Sequence, residues 1–278
     1  MMKKNTHLIY LKNMPFEYIR SWLLALTKAG IRPIGRQLRR KERQMQRDID
    51  AEFTKQKNFV ISRMRYVLNK GMCACVECTT KSTKGMIDDI FDDMEDQDMI
   101  DKIIVVAGTT MTVGAAYRIK KMRLSEIGIN FDLKHPLAVK YLQTQRPLIL
   151  AKMKDTTKEH IKPILQKAAA EGWSPQETAK LISENFAFSK TRSLMIASNE
   201  VGHAYEWGNY SVMKDVEDKG YKVEKAWETV GDDRVTEICL DNQRDGYIKY
   251  GDKFSSGDET APTQEHPNCR CTTLYQYQ

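Results

Sequence analysis

Cys239, His266, Cys269 and Cys271 place three thiols and one imidazole near the end of a 278-residue chain. Four soft or borderline donors of these types suit a tetrahedral zinc ion closed on every corner, which is the structural kind of site. His266 and Cys269 stand three apart across Pro267, so a turn there lets both face one point. Cys269 and Cys271 stand two apart, which in a strand puts them on the same side. Cys239 then has to arrive from a preceding hairpin. Residues 221–278 are too few to bury a large core alone, and a structural zinc contributes on the order of 10 kcal/mol to a small module. The same residues also read as a His-Pro turn with thiols packed as small hydrophobes, or as a Cys239-to-tail disulfide.

Other groups carry less chemistry. Cys73, Cys75 and Cys78 make a Cys-x-Cys-x-x-Cys run without a fourth ligand nearby, which reads as a loop with reduced thiols. Glu200 and His203 share a helix face with Arg192 upstream, so an acid/base pair is conceivable. No nucleophile or cofactor loop accompanies them. The reading preferred here is a structural network of Arg192, Glu200, His203, Arg234 and Arg270, with Glu200 paired to Arg234 or Arg270. Asp232 and Asp233 read as turn formers. No phosphate-cradling glycine loop, nucleophile elbow or zinc-protease helix is present, and no catalytic residue is expected. Arg36, Arg39, Arg40, Arg43 and Arg47, with Lys41 among them, fall at three-four spacing and would form a cationic helical stripe. Such a stripe meets phosphates without reading sequence, meets an acidic protein surface, or stays solvated.

The elements that would hold these groups are mostly helical. Residues 35–68 lack Pro and, after Gly35, Gly, and carry one narrow apolar stripe, with a break conceivable near Phe53. Helices are expected around 86–99 and 113–123, with 101–107 read as helical too, then over 136–151 and 156–170, closed by Gly172. Ser174-Pro175-Gln176-Glu177 spells a capping box with Pro at the first helical position, with Ala179, Leu181, Ile182 and Phe186 on one side of the helix that follows. A further helix over 189–219 ends at Gly220. Val223–Thr229 alternates like a strand, Gly231-Asp232-Asp233 turns the chain, and the rest reads as short strands and turns. The fold class is α+β: a mostly helical N-terminal region, 1–155, and a C-terminal module, 156–278, of helices packed on a small antiparallel hairpin or sheet.

Composition is that of an ordinary globular chain, 41% hydrophobic and 29% charged. No transmembrane span is expected, and the N-terminus lacks the pattern of a secretion leader. The net charge of +7 is uneven. Residues 1–70 hold 17 Lys and Arg against 5 Asp and Glu, whereas 71–100 hold 2 against 8. The basic quarter attracts a polyanion or an acidic surface, unless the acidic cluster at 88–98 neutralises it internally.

From Gly172 onward the order of motifs resembles one family. The motifs are Gly172-Trp173-Ser174, Arg192, Ile196-Ala197-Ser198-Asn199-Glu200, Trp227-Glu228-Thr229, Asp233-Arg234-Val235, Cys239, Asp245-Gly246 and the terminal His266-Pro267-Asn268-Cys269-Arg270-Cys271-Thr272. Together they are similar to the phage head-morphogenesis proteins typified by the Mu F-like minor head protein. The resemblance covers roughly the last 120 residues. It implies a minor capsid component of the virion, assembled in the bacterial cytoplasm, with portal and other head proteins as partners and packaged double-stranded DNA as a further contact. It implies no enzymatic activity. Many members carry Cys-x-x-Cys where this chain has Thr236-Glu237-Ile238-Cys239, so the first thiol is replaced by Thr236. Thr-Glu is also frequent in the family where this chain has Asn199-Glu200.

Overall fold

The computed structural model describes residues 32–69, 85, 88–94, 97–171, 173–233, 235–263, 265–266 and 268–278. The Cys73, Cys75 and Cys78 run, Gly172 and Arg234 lie outside them. Helix α1 spans Arg32–Asn69 without interruption. Its buried positions Leu38, Glu42, Met45, Ile49, Phe53, Gln56, Val60 and Met64 continue at three-four spacing past Phe53, so nothing in the pattern breaks it. Residues 88–92 are helical, and α2, Gln97–Lys121, absorbs both the 101–107 and 113–123 segments. The two helices expected over 136–170 are one, α3, Pro136–Glu171, which continues through Pro147 and Pro163. α4, Pro175–Ser183, starts with the expected capping box: Ser174 accepts from the Glu177 N–H, and the Glu177 carboxylate accepts from the Ser174 N–H. On α4 Ile182 is buried but Leu181 faces solvent, and Phe186 lies in a separate 3-10 turn, Phe186–Phe188. α5 spans Lys190–Asp218, and the chain leaves it at Gly220 with a left-handed φ of 92°.

α2 is the most apolar helix of the described residues. Asp98–Lys121 is long and apolar enough to cross a membrane by length and composition. Its positions Ile103, Val106, Ala107, Met111 and Ala115 are buried within the protein, which is how a core helix of a globular chain passes the same test.

The chain clusters into two compact units. One comprises Met45–Ile103 and Gln145–Leu194. Its core gathers Val60, Met64, Ile90, Phe91, Met94, Ile161, Leu165 and Ile182. The buried Arg192 donates to Thr157 Oγ1 and to the Met153 and Ala187 carbonyls, and lies 4.8 Å over the Phe53 ring. Three residues of the acidic cluster are paired here: Asp88 with Lys158 and Lys162, Asp93 with Arg63, and Asp98 with Lys55 and Lys102.

The other unit comprises Met1–Gln44, Ile104–Thr144 and Met195–Gln278. It holds a three-stranded antiparallel sheet of order β2-β1-β3, formed by β1 (Val223–Glu228), β2 (Ile248–Lys249) and β3 (Thr272–Tyr277). β1 pairs with β3 from Val223↔Tyr277 to Glu228↔Thr272. Lys222 and Gln278 exchange both backbone bonds, so by the antiparallel alternation Thr273 and Tyr275 turn their N–H and C=O groups to the outer edge. Within this unit α2 and α5 meet backbone to backbone. A Cβ on Gly114 would run into the Tyr205 carbonyl, and one on Gly208 into the Met111 carbonyl. At the sheet's centre, Lys225 is buried against Tyr210, Tyr250 and Phe254 and donates to the Glu259 carbonyl. Burial pushes its amine down to about 8.

Two stability predictions follow from these contacts. Gly208→Ala or Gly114→Ala lowers stability by roughly 3 kcal/mol or more, because rigid backbone must move, whereas Gly251→Ala, with open space around it, changes the denaturation midpoint little. Burial raises the Glu42 carboxyl to about 8, against the opposing pull of Arg39, Ser198 and Arg43. A carboxyl raised in the folded state binds its proton there first, so its contribution is complete below about pH 4.5 and is lost as pH rises through about 8. Urea midpoints should therefore fall from pH 5 to pH 8.5, and Glu42→Gln should flatten that slope.

Candidate metal centre

Three of the four expected donors converge. Cys239 Sγ lies 3.1 Å from His266 Nε2 and 3.6 Å from Cys269 Sγ, and the three ligand atoms all fall within 4.8 Å of one another. Around a tetrahedral zinc, sulfurs at about 2.3 Å from the ion stand roughly 3.8 Å apart, and a sulfur and an imidazole nitrogen roughly 3.5 Å apart. The spacing is thus near that of a ligand set, and the donor chemistry fits zinc. Cys271, the fourth expected donor, packs in the same buried cluster with Trp227, Phe254 and Ala261, but its sulfur is not among the three ligand atoms that fall within 4.8 Å of one another.

The elements that place these groups differ in one respect from expectation. Cys239 does not come from a hairpin. It sits in the first turn of α6, Glu237–Arg244, where the sequence had suggested strands and turns. That helix is only eight residues long, and its polar run leaves a weak apolar period, which hid it. Cys269 and Cys271 are both buried on the approach to β3, with Arg270 between them turned the other way. Arg270 forms a two-oxygen ion pair with Asp232 at 2.6 and 2.7 Å, so Asp232 does more than form a turn. Asn268 takes a left-handed φ of 58° and donates its N–H to Asn199 Oδ1 on α5. His203 Nε2 lies 3.4 Å from the Thr263 carbonyl.

The thiols do not titrate alike. The Cys269 and Cys271 thiols, the latter more weakly, and the His266 ring hold the Cys239 thiol well below the usual cysteine range. Burial, then the Cys239 sulfur, pushes Cys269 up, and the neighbouring Cys239 sulfur pushes Cys271 up to about 12. A zinc ion held by these donors would make the site a fixed structural crosslink between α6 and the start of β3.

The expected structural network divides. Arg192 serves the Thr157–Ala187 cluster described above. Arg270 pairs with Asp232, Glu200 lies near the buried Tyr141, whose hydroxyl feels its charge, and Arg234, the other expected partner of Glu200, lies outside the described residues. Sequence reading missed a second network: α2 Arg118 donates to Asn209 Oδ1 and to the outward Thr273 carbonyl, and lies 4.6 Å over the Tyr275 ring. The buried Glu206 accepts from the Thr272 hydroxyl and the Asn209 amide. Spacing within one segment could not reveal a bond between residues 118 and 273. On α1, Arg36, Arg40, Arg43 and Arg47 are exposed, Arg39 and Lys41 are half-buried, and none of the four exposed arginines makes an ion pair among the described residues.

Residues 159–274 match the model of the family described as phage Mu protein F like protein, a little over two-fifths of the chain, which bears out the resemblance read from the motifs. No curated protein matches the chain, and no solved structure does.

With zinc in the cluster, chelation should lower the thermal midpoint of the full chain and added zinc should restore it. Cys239→Ser should abolish that difference, as followed by circular dichroism with and without chelator.

Proposed function

We propose that this chain is a structural minor head protein of a tailed phage, acting in head morphogenesis. The C-terminal module is the docking block, which meets the portal and other head proteins. The chain assembles in the bacterial cytoplasm and stays in the virion, in the head interior or at the portal vertex. The observation that carries this reading is the Mu F-like match over 159–274, falling on the segment whose tail folds back onto α5 through Asn199, His203 and Glu206.

No step of catalysis is assigned. Glu200 and His203 serve as packing and hydrogen-bonding groups, and the Cys239–His266 pair is read as half of a zinc site formed by Cys239, His266, Cys269 and Cys271. The zinc, when bound, supplies a crosslink and no reactive water. Exposed Arg36, Arg40 and Arg43, which make no ion pair among the described residues, favour a second contact, with the phosphates of packaged double-stranded DNA.

Mass spectrometry of purified particles should find the chain, and the portal protein should retain it in a pull-down. Absence from both would remove the reading. Binding to duplex DNA should weaken steeply with salt, and Arg36→Glu with Arg40→Glu and Arg43→Glu should reduce both the affinity and the salt slope by about three counterions' worth. A nucleic-acid-processing activity lost on Glu200→Ala, in a chain that keeps its melting temperature, would favour an enzyme instead.

A further inference from the structure

We propose that the groove between α1 and α4 is a docking surface for an acidic, amphipathic helical segment of a partner head protein. The inference rests on the docking reading above and names the chemistry of the partner.

Asn58, Ile61, Ser62 and Arg65 recur at three-four spacing on α1, so they share one face over roughly 10 Å of helix. Opposite them stand Ala179, Lys180 and Ser183 of α4. Beneath the surface the two helices share a core, to which Val60 and Met64 of α1 and Ile182 of α4 belong. Ile61 and Ala179 sit at the margin of that core, partly buried, and form the floor of the groove. A methyl group facing an isoleucine does not fill the space above it, and a groove of about 580 Å³ is left.

The lining carries one sign of charge. Arg65 and Lys180 are its charged residues, and among the described residues no carboxylate lines the groove. Asn58, Ser62 and Ser183 add an amide and two hydroxyls. All five polar side chains are exposed, and among the described residues none is engaged in a hydrogen bond or an ion pair. Arg63, two residues before Arg65, shows the alternative: it reaches Asp93 at 3.4 Å. Glu184, one turn beyond Lys180, forms no ion pair with it. An occupant must therefore bring acidic groups for Arg65 and Lys180 and an apolar side chain for the floor between them. A helix with an apolar stripe flanked by Glu or Asp brings both, laying the stripe on Ile61 and Ala179. A nucleic-acid backbone brings the charge without an apolar group for the floor. α4 also lies inside the Mu F-like match, the segment on which the docking reading rests.

The test uses the full chain. The probe is a labelled helical peptide with Leu at three-four spacing and Glu at the remaining positions, read by fluorescence anisotropy, beside a labelled DNA duplex as the phosphate probe. The peptide should bind the parent chain, lose affinity as salt is raised, and lose about tenfold in Arg65→Glu with Lys180→Glu. Both cations are exposed, so this double variant should keep the parent's melting temperature. Ala179→Leu, which leaves the charge in place and fills the floor, should weaken the peptide about fivefold. Should Ala179→Leu fail to fold, the double variant decides alone. The portal protein should retain the parent in a pull-down and lose the double variant. Equal peptide affinity in parent and double variant, or portal retention that survives the substitutions, would overturn the groove and leave the docking reading standing. A duplex weakened by the double variant, with the peptide unbound, would assign the groove to phosphates and overturn the acidic segment. A portal that does not retain even the parent, with the peptide bound as expected, would instead count against the docking reading and leave the chemistry of the groove intact.

Discussion

The crossing of α2 and α5 is the constraint on which the sheet-bearing unit depends. Their backbones touch at Gly114 and Gly208, each against a carbonyl of the other helix, and no side chain separates them. At that distance residues one turn away become neighbours across the helix pair. Arg118 therefore reaches Asn209, and both stand beside the edge of β3. The guanidinium takes the outward Thr273 carbonyl while Glu206 takes the adjacent Thr272 hydroxyl. An exposed sheet edge is a template for unwanted pairing, and here two buried charges cover its first residues.

Burying those charges is expensive, and the structure compensates each with fixed partners. Desolvation raises the Glu206 carboxyl, against the opposing effects of Arg118, Thr272 and Asn209. Lys225 answers the same problem differently, with three aromatic rings and one carbonyl around its amine. Groups of this sort add little net stability over apolar packing, but they tolerate only one arrangement of helix and sheet. β1 is thereby set in register against β3, which determines where Cys269 and Cys271 emerge.

The sulfur cluster then joins two segments that share little else. α6 brings Cys239, the loop before β3 brings His266 and Cys269, and Asn199 on α5 holds the loop through the Asn268 N–H. The Asp232–Arg270 pair closes the same loop from the opposite side of the chain. These ties add to the apolar core that Val223, Tyr250 and Tyr275 share with Ala115, Leu124, Val212 and Val216, a core the last fifty-odd residues could not supply alone.

Much of this was legible in the sequence, where the information is local. Helical periodicity over α1 and α5, the Ser174–Glu177 capping box, the stop at Gly220 and the alternation of β1 depend on neighbours a few residues apart, and the ordered motifs carried the family resemblance. The donor types of the metal centre were legible too, since His266, Cys269 and Cys271 lie within six residues. What only the tertiary structure decided were pairings distant in the chain. Arg270 with Asp232, and Arg118 with Thr273, depend on how helices cross and strands register. The merging of two expected helices into α3 and the burial of the apolar α2 were decided the same way, because packing overrides local propensity once enough surface is buried.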